Sequence, residues 1–175
     1  NPPAQRLYDP VLGGGSLLDI GIYPVFIALT ILGKPVDIQA MITPFETGVD
    51  EQCVIIMKFQ DNALAVLSST FAAETPVEAM IAGTEGRIHL RNRFHNAMAT
   101  LELVKGRDEV QKLDVHREPG FGYQFEARYV GECLRNGLTE SPVMSHADSL
   151  LLMETLDRIR QVCDIRYAAD KTNLT

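Results

Sequence analysis

The residues best placed to do chemistry follow a run of three glycines: Gly13-Gly14-Gly15-Ser16-Leu17-Leu18-Asp19-Ile20-Gly21-Ile22-Tyr23-Pro24. Glycine carries no Cβ, so such a run lets another backbone or a ligand approach closely. The apolar run from Leu17 to Leu32 predicts a helix. Asp19 falls about a turn from its start, where the helix dipole favours a carboxylate. Tyr23 stands four residues on, so the two polar groups share one helix face. Pro24 removes the donor to the Ile20 carbonyl, which predicts a kink. Two readings stand side by side. In one, Asp19 caps nearby amides and Tyr23 packs as an amphipathic core residue. In the other, they form an acid–base pair facing a cleft. A phenol ionises near pH 10 in water and works as a proton donor or acceptor only beside a cation or in a tuned pocket.

Other chemistries lack their residues. The chain has no G-x-G-x-x-G, no G-x-x-x-x-G-K-[ST], no G-x-S-x-G and no H-E-x-x-H. Gly120-Phe121-Gly122 lacks a third glycine and reads as a helix-entry loop. His89, His95, His116 and His146 have no metal-ligand spacing with cysteines, so no metal site is expected. Cys53, Cys133 and Cys163 are scattered and odd in number, which argues against a disulfide framework and for a reducing, cytoplasmic compartment. One basic stretch, Arg87, His89, Arg91, Arg93 and His95, alternates at spacing two. It reads as a solvated strand edge, or else as a partner contact or anion site. The net charge of −7 argues against general nucleic-acid binding. Asp19 and Pro24 interrupt the apolar run, so a buried helix rather than a membrane span is expected.

These side chains must be held by elements the patterning predicts. With 175 residues, 46% of them hydrophobic, the chain is long enough for one domain with its own core. Pro2, Pro3 and Pro10 make the start an extended arm, and Gly33-Lys34-Pro35 stops the first helix. Strands are predicted at 36–44, 52–59, 63–71, 77–82, 87–91, 99–104 and 110–115, joined by short turns, which makes a largely antiparallel sheet. Cys53, Ile55, Met57 and Phe59 face one way and Val54 and Ile56 the other, so both sheet faces need cover. A second copy of the chain is the economical candidate for one of them. Helices close the chain: 123–136, ending at Asn136-Gly137, and one opened by a capping box at Ser145-His146-Ala147-Asp148. The latter aligns Leu152, Met153, Leu156, Ile159 and Cys163 and pairs Glu154 with Arg158. A polar, frayed tail follows Asp170.

Arg6-Leu7-Tyr8-Asp9-Pro10 with the glycine–Asp19–Tyr23 segment resembles the opening of the C-terminal domain of the glucose–fructose oxidoreductase / inositol dehydrogenase / rhizopine-catabolism (Gfo/Idh/MocA) oxidoreductases. The nearest resemblance is to the dimeric dihydrodiol dehydrogenase and glucose–fructose oxidoreductase-like branch. Gly83-Thr84-Glu85-Gly86, Phe125-Glu126 to Glu132-Cys133, and Glu140-Ser141-Pro142 to Asp148-Ser149 resemble later parts in order, so the likeness spans nearly the whole chain.

The resemblance implies an α+β fold with an open, largely antiparallel sheet and helices on one face, like the C-terminal domain of glyceraldehyde-3-phosphate dehydrogenase. It implies that residues 1–175 form a substrate and oligomerisation domain preceded by a Rossmann domain. That domain would bring NAD or NADP, with the nucleotide motif and a catalytic Lys-Pro lysine lying before Asn1. Cofactor-contacting residues are therefore expected mainly outside this chain, and no cofactor is expected on the fragment alone. The family motif often ends D-x-x-x-H; here it ends in tyrosine. Matched residue by residue, Tyr23 would exchange a proton at the substrate oxygen and Asp19 would position or polarise the substrate, a sugar, polyol or diol. Homo-oligomerisation through the open sheet face is implied as well. Two alternatives remain: a non-catalytic sugar-binding or assembly module of the same family, and an unrelated α+β domain in which Tyr23 is sealed in the core.

Overall fold

The computed structural model describes residues 5–106, 109–114 and 118–173. They form two compact units, one from residues up to Glu74 together with those from His146 on, the other from Thr75 to Ser145.

The first unit opens with a single helical turn, α1 (Gln5–Tyr8), and a 3-10 turn at Pro10–Leu12 capped by the Asp9 carboxylate on the Val11 amide. Gly13 follows at φ +70. The predicted single helix is in fact two segments, a π-helical turn at Leu17–Gly21 and the α-helix α2 (Ile22–Leu32). Pro24 has no N–H to give the Ile20 carbonyl in an α-helical register, and the wider turn lies immediately upstream. The stretch Pro10–Leu32 has the length and apolarity of a membrane span. Leu17, Val25, Ala28 and Leu29 are nevertheless buried in the unit, while Tyr23, Phe26 and Ile31 are exposed. The helix, expected to be buried, is thus covered on one side only within this unit.

Three antiparallel strands follow, β1 (Asp37–Pro44), β2 (Asp50–Lys58) and β3 (Leu64–Thr70), in the order β1-β2-β3. Ile55 pairs with Ala40 and Leu67, and Ile56 with Gln39 and Val66. Cys53, Ile55, Met57 and Phe59 on β2 are buried, and α2 and α4 (His146–Cys163) belong to the same unit. The opposite face carries Met41, Val54, Ile56 and Val66 into solvent. Asn62 takes the left-handed conformation at the β2–β3 hairpin, a tolerance asparagine shares with glycine.

Helix α4 buries Leu152, Thr155, Leu156 and Ile159, but Met153, expected on that stripe, is half exposed. The expected Glu154–Arg158 pair is also replaced. Lys34 Nζ reaches Glu154 at 3.5 Å, and Arg158 donates to the Pro35 carbonyl at 3.2 Å, so both side chains tie α4 to the α2–β1 turn. Asp170 itself is tied down, since its carboxylate accepts from the Tyr167 amide at 2.8 Å and from Arg160; the end of the tail expected to fray lies outside the described residues.

The second unit is an antiparallel meander of β4 (Ala79–Ala82), β5 (Gly86–Arg91), β6 (Thr100–Lys105) and β7 (Glu109–Leu113), with helix α3 (Tyr123–Arg135). The strands are therefore shared between two sheets rather than joined in one. The Gly106-Arg107-Asp108 turn and the predicted strand end at Val115 fall outside the described residues. Gly120 and Gly122 have φ of +126 and +100 and lead into α3, the helix-entry role expected of them. The class is α+β, with open antiparallel sheets.

Candidate functional site

The glycine run has a mechanical role. Gly14 N–H donates to the Asp9 carbonyl at 2.9 Å and Gly15 N–H to the Leu7 carbonyl at 2.8 Å, so α1 lies directly against the loop. A Cβ on Gly14 would stand 2.7 Å from the Leu7 carbonyl oxygen. A Cβ on Gly15, at φ +119, would overlap the Asp50 carboxylate, and one on Gly21 would come within 3.0 Å of Ser69 Oγ. The close approach is thus made by neighbouring parts of the same unit.

Beneath the π turn sits a buried polar cluster that the sequence reading missed. Asp50, at the start of β2, is fully buried. Its Oδ2 accepts from the Leu17 amide at 2.6 Å and from Ser16 Oγ at 2.8 Å. Ser16 Oγ also lies 3.0 Å from Ser69 Oγ on β3. Ser16 occupies the N-cap position but gives no cap of its own. Asp50 caps the turn from another element, placing negative charge on the positive end of the dipole. Asp50 Oδ1 has no hydrogen-bond partner among the described residues. Burial pushes the Asp50 carboxyl above the usual range, against the lowering effect of the Leu17 and Ser16 bonds. Tyr167 closes the cluster by donating its hydroxyl to the Gly14 carbonyl at 2.6 Å. Burial, reinforced by Asp50, pushes that phenol up to about 12, and burial pushes the Cys53 thiol up to about 12. Asp50 lies 34 residues from Ser16, so no local spacing could have announced the contact.

Asp19 and Tyr23 lie above this anchor. Asp19 does not cap amides. Its Oδ1 accepts from Arg6 Nη2 at 2.6 Å, and its side chain is 24% exposed. No described residue hydrogen-bonds Oδ2. Tyr23 is 40% exposed, as is Phe26 three residues on, so α2 turns an aromatic face outward. Tyr23 is therefore not sealed in the core, which removes the main support for the unrelated-domain alternative. The arrangement offers a phenol and a partly buried carboxylate with one committed oxygen. An open groove of about 530 Å³, lined by Ile31, Lys34, Pro35 and Phe59 among others, lies at the other end of α2. Eight residues of helix, about 12 Å, separate Ile31 from Tyr23.

The basic stretch does not form an anion site. His89 is buried and its Nε2 lies 2.7 Å from Glu78 Oε2. Arg91 pairs with Glu102 at 3.1 Å and Glu78 at 3.6 Å. β5 ends at Arg91, and Asn92 and Arg93 both take positive φ, which breaks the alternation before His95.

The sequence profile of the GFO/IDH/MocA C-terminal domain matches residues 1–89, half of the chain, and the chain belongs to that family. Among its relatives, the trans-1,2-dihydrobenzene-1,2-diol dehydrogenase of Danio rerio is 42% identical over 172 residues, covering 94% of this chain and 51% of the relative. The enzyme of the same name from Homo sapiens is 31% identical over 173 residues, covering 95% and 51%. The chain thus spans about half the length of the curated relatives it matches. Its fold is shared with the aldose-aldose oxidoreductase of Caulobacter crescentus, solved with glycerol, at a TM-score of 0.79 and 20% identity, covering 94% of this chain and 50% of that one. A 3-ketoreductase from Actinomadura kijaniata, solved with NADP and TDP-benzene, superposes at 0.77 with 19% identity, covering 93% and 50%.

Proposed function

We propose that this chain is the C-terminal substrate and assembly domain of a cytoplasmic NAD(P)-dependent oxidoreductase acting on a sugar, polyol or diol. The observation that carries the reading is Tyr23, exposed on a helix entered through glycines and standing four residues from a carboxylate held by Arg6. The dehydrogenase names of the relatives and the NADP bound to a protein of the same fold support it. The half-length match supports a second, nucleotide-binding half. The outward Tyr23–Phe26 face supplies the flat, partly apolar surface a nicotinamide-bearing half would cover. The three free thiols agree with a reducing compartment.

In alcohol oxidation the nicotinamide, when bound, supplies the hydride acceptor. In carbonyl reduction the Tyr23 hydroxyl gives its proton to the carbonyl oxygen and is left as phenolate; in oxidation the phenolate takes the hydroxyl proton and is left as phenol. Asp19 accepts a hydrogen bond from a substrate hydroxyl and fixes the orientation of the reacting carbon. Cofactor and Lys-Pro contacts belong to the upstream half.

The test is Tyr23→Phe in the protein carrying that half, assayed for oxidation of trans-1,2-dihydrobenzene-1,2-diol and of aldoses. The phenyl ring keeps the packing and loses the proton. Turnover should fall by about 10²–10⁴-fold, and unchanged turnover would refute the role. The alternative, a non-catalytic sugar-binding or assembly module, is favoured instead if the residues preceding Asn1 lack both a G-x-G-x-x-G/A after a strand and a later Lys-Pro.

A further inference from the structure

We infer that Arg6 is a positioning residue of this site, holding Asp19 by one oxygen so that the other is presented to a substrate hydroxyl. The inference deepens the proposed function and rests on it. Arg6 Nη2 meets Asp19 Oδ1 at 2.6 Å, while no described residue hydrogen-bonds Oδ2. An exposed ion pair on a loose segment would carry no such meaning. Here the backbone that carries the arginine is held from several sides. The next residue, Leu7, accepts the Gly15 amide at 2.8 Å. The Tyr8 ring packs at 4.0 Å from Phe45 and 5.6 Å from Phe71, and the Tyr8 carbonyl accepts from Thr47 Oγ1 at 2.5 Å. Gly14 leaves no room for a Cβ beneath the same turn, with the Arg6 carbonyl 2.9 Å from where it would stand. The close packing that requires glycine is thus also what sets Arg6 over Asp19. A carboxylate with one oxygen committed keeps a single orientation.

The experiment compares wild type, Arg6→Ala, Arg6→Lys, Asp19→Asn, the Arg6→Ala/Asp19→Asn double variant and Tyr23→Phe, all in the nucleotide-carrying protein. The readouts are steady-state oxidation of trans-1,2-dihydrobenzene-1,2-diol and calorimetric binding of the same diol to the NADP-loaded protein. Arg6→Ala should raise KM and Kd about tenfold and leave kcat within about twofold, because it removes binding rather than proton transfer. Arg6→Lys should recover most of the loss, and Arg6→Ala should add nothing to Asp19→Asn, because it acts through that carboxylate. Thermal melts should coincide, since the pair is exposed. Unchanged KM and Kd in Arg6→Ala, with Tyr23→Phe inactive, overturn the inference and leave the proposed function standing. Fully additive losses in the double variant overturn it too. Normal turnover in Tyr23→Phe overturns the proposed function and this inference together.

Discussion

At the scale of single residues, Asp50 is the most consequential group the sequence reading passed over. It is buried with one oxygen bonded to the Leu17 amide and Ser16 hydroxyl and the other without a described partner. Asp50→Ala leaves the amide and hydroxyl unsatisfied and should cost about 2–4 kcal/mol, read as a lower urea midpoint. Asp50→Asn separates charge from shape. The folded carboxyl is pushed above the unfolded value of about 3.9. The folded state therefore holds more protons in the window between the two values, and stability from this group falls as pH rises through the folded value. As pH drops from neutral toward about 4, wild type should gain on Asp50→Asn in paired urea titrations. A gap that stays constant across that range would mean the buried charge carries no such penalty. Asp170 acts with the opposite sign. The Arg160 hydrogen bond holds its carboxyl below the usual range, so its contribution is present above about pH 4 and is lost on further acidification.

Among the elements, the glycine loop and the π turn show what close packing demands. Gly13 and Gly15 both have positive φ, but only Gly15 would drive a side chain into another group. Gly13→Ala should cost about 1 kcal/mol, the price of a left-handed alanine. Gly15→Ala should cost more than about 3 kcal/mol and should lower activity as well, because it moves the turn bearing Asp19. Equal thermal shifts for the two variants would refute the argument. The first six strands, the start of the seventh and the ends of α3 were legible to within two residues of those observed, because alternation and hairpin turns are local signals. The outward turn of Met153 and the rerouting of Glu154 and Arg158 to Lys34 and Pro35 were not. Each is decided by a neighbour more than 100 residues away or by the shape of the surface packed beneath it.

For the whole molecule, the face of β1–β3 that carries Met41, Val54, Ile56 and Val66 is apolar and uncovered within its own unit. We propose that a second copy of the chain covers it. Val66→Glu, whose Cα partner is Ile56, should convert an oligomer into monomers in sedimentation velocity without unfolding the chain, because Val66 is 73% exposed. A wild type that sediments as a monomer at high concentration would sink the proposal.

The amino-acid sequence by itself determined the strand and helix order and the placement of Asp19 and Tyr23 four residues apart, since periodicity and glycine punctuation act over a few residues; the α+β class followed from the resemblance. It also carried enough ordered likeness to indicate the family. Only the tertiary structure decided which carboxylate caps the turn, what the glycines make room for, and that Arg6 rather than a backbone amide holds Asp19. Those choices join residues 13 to 153 positions apart, and they turn on sub-ångström fits between surfaces that become neighbours only once the chain has folded.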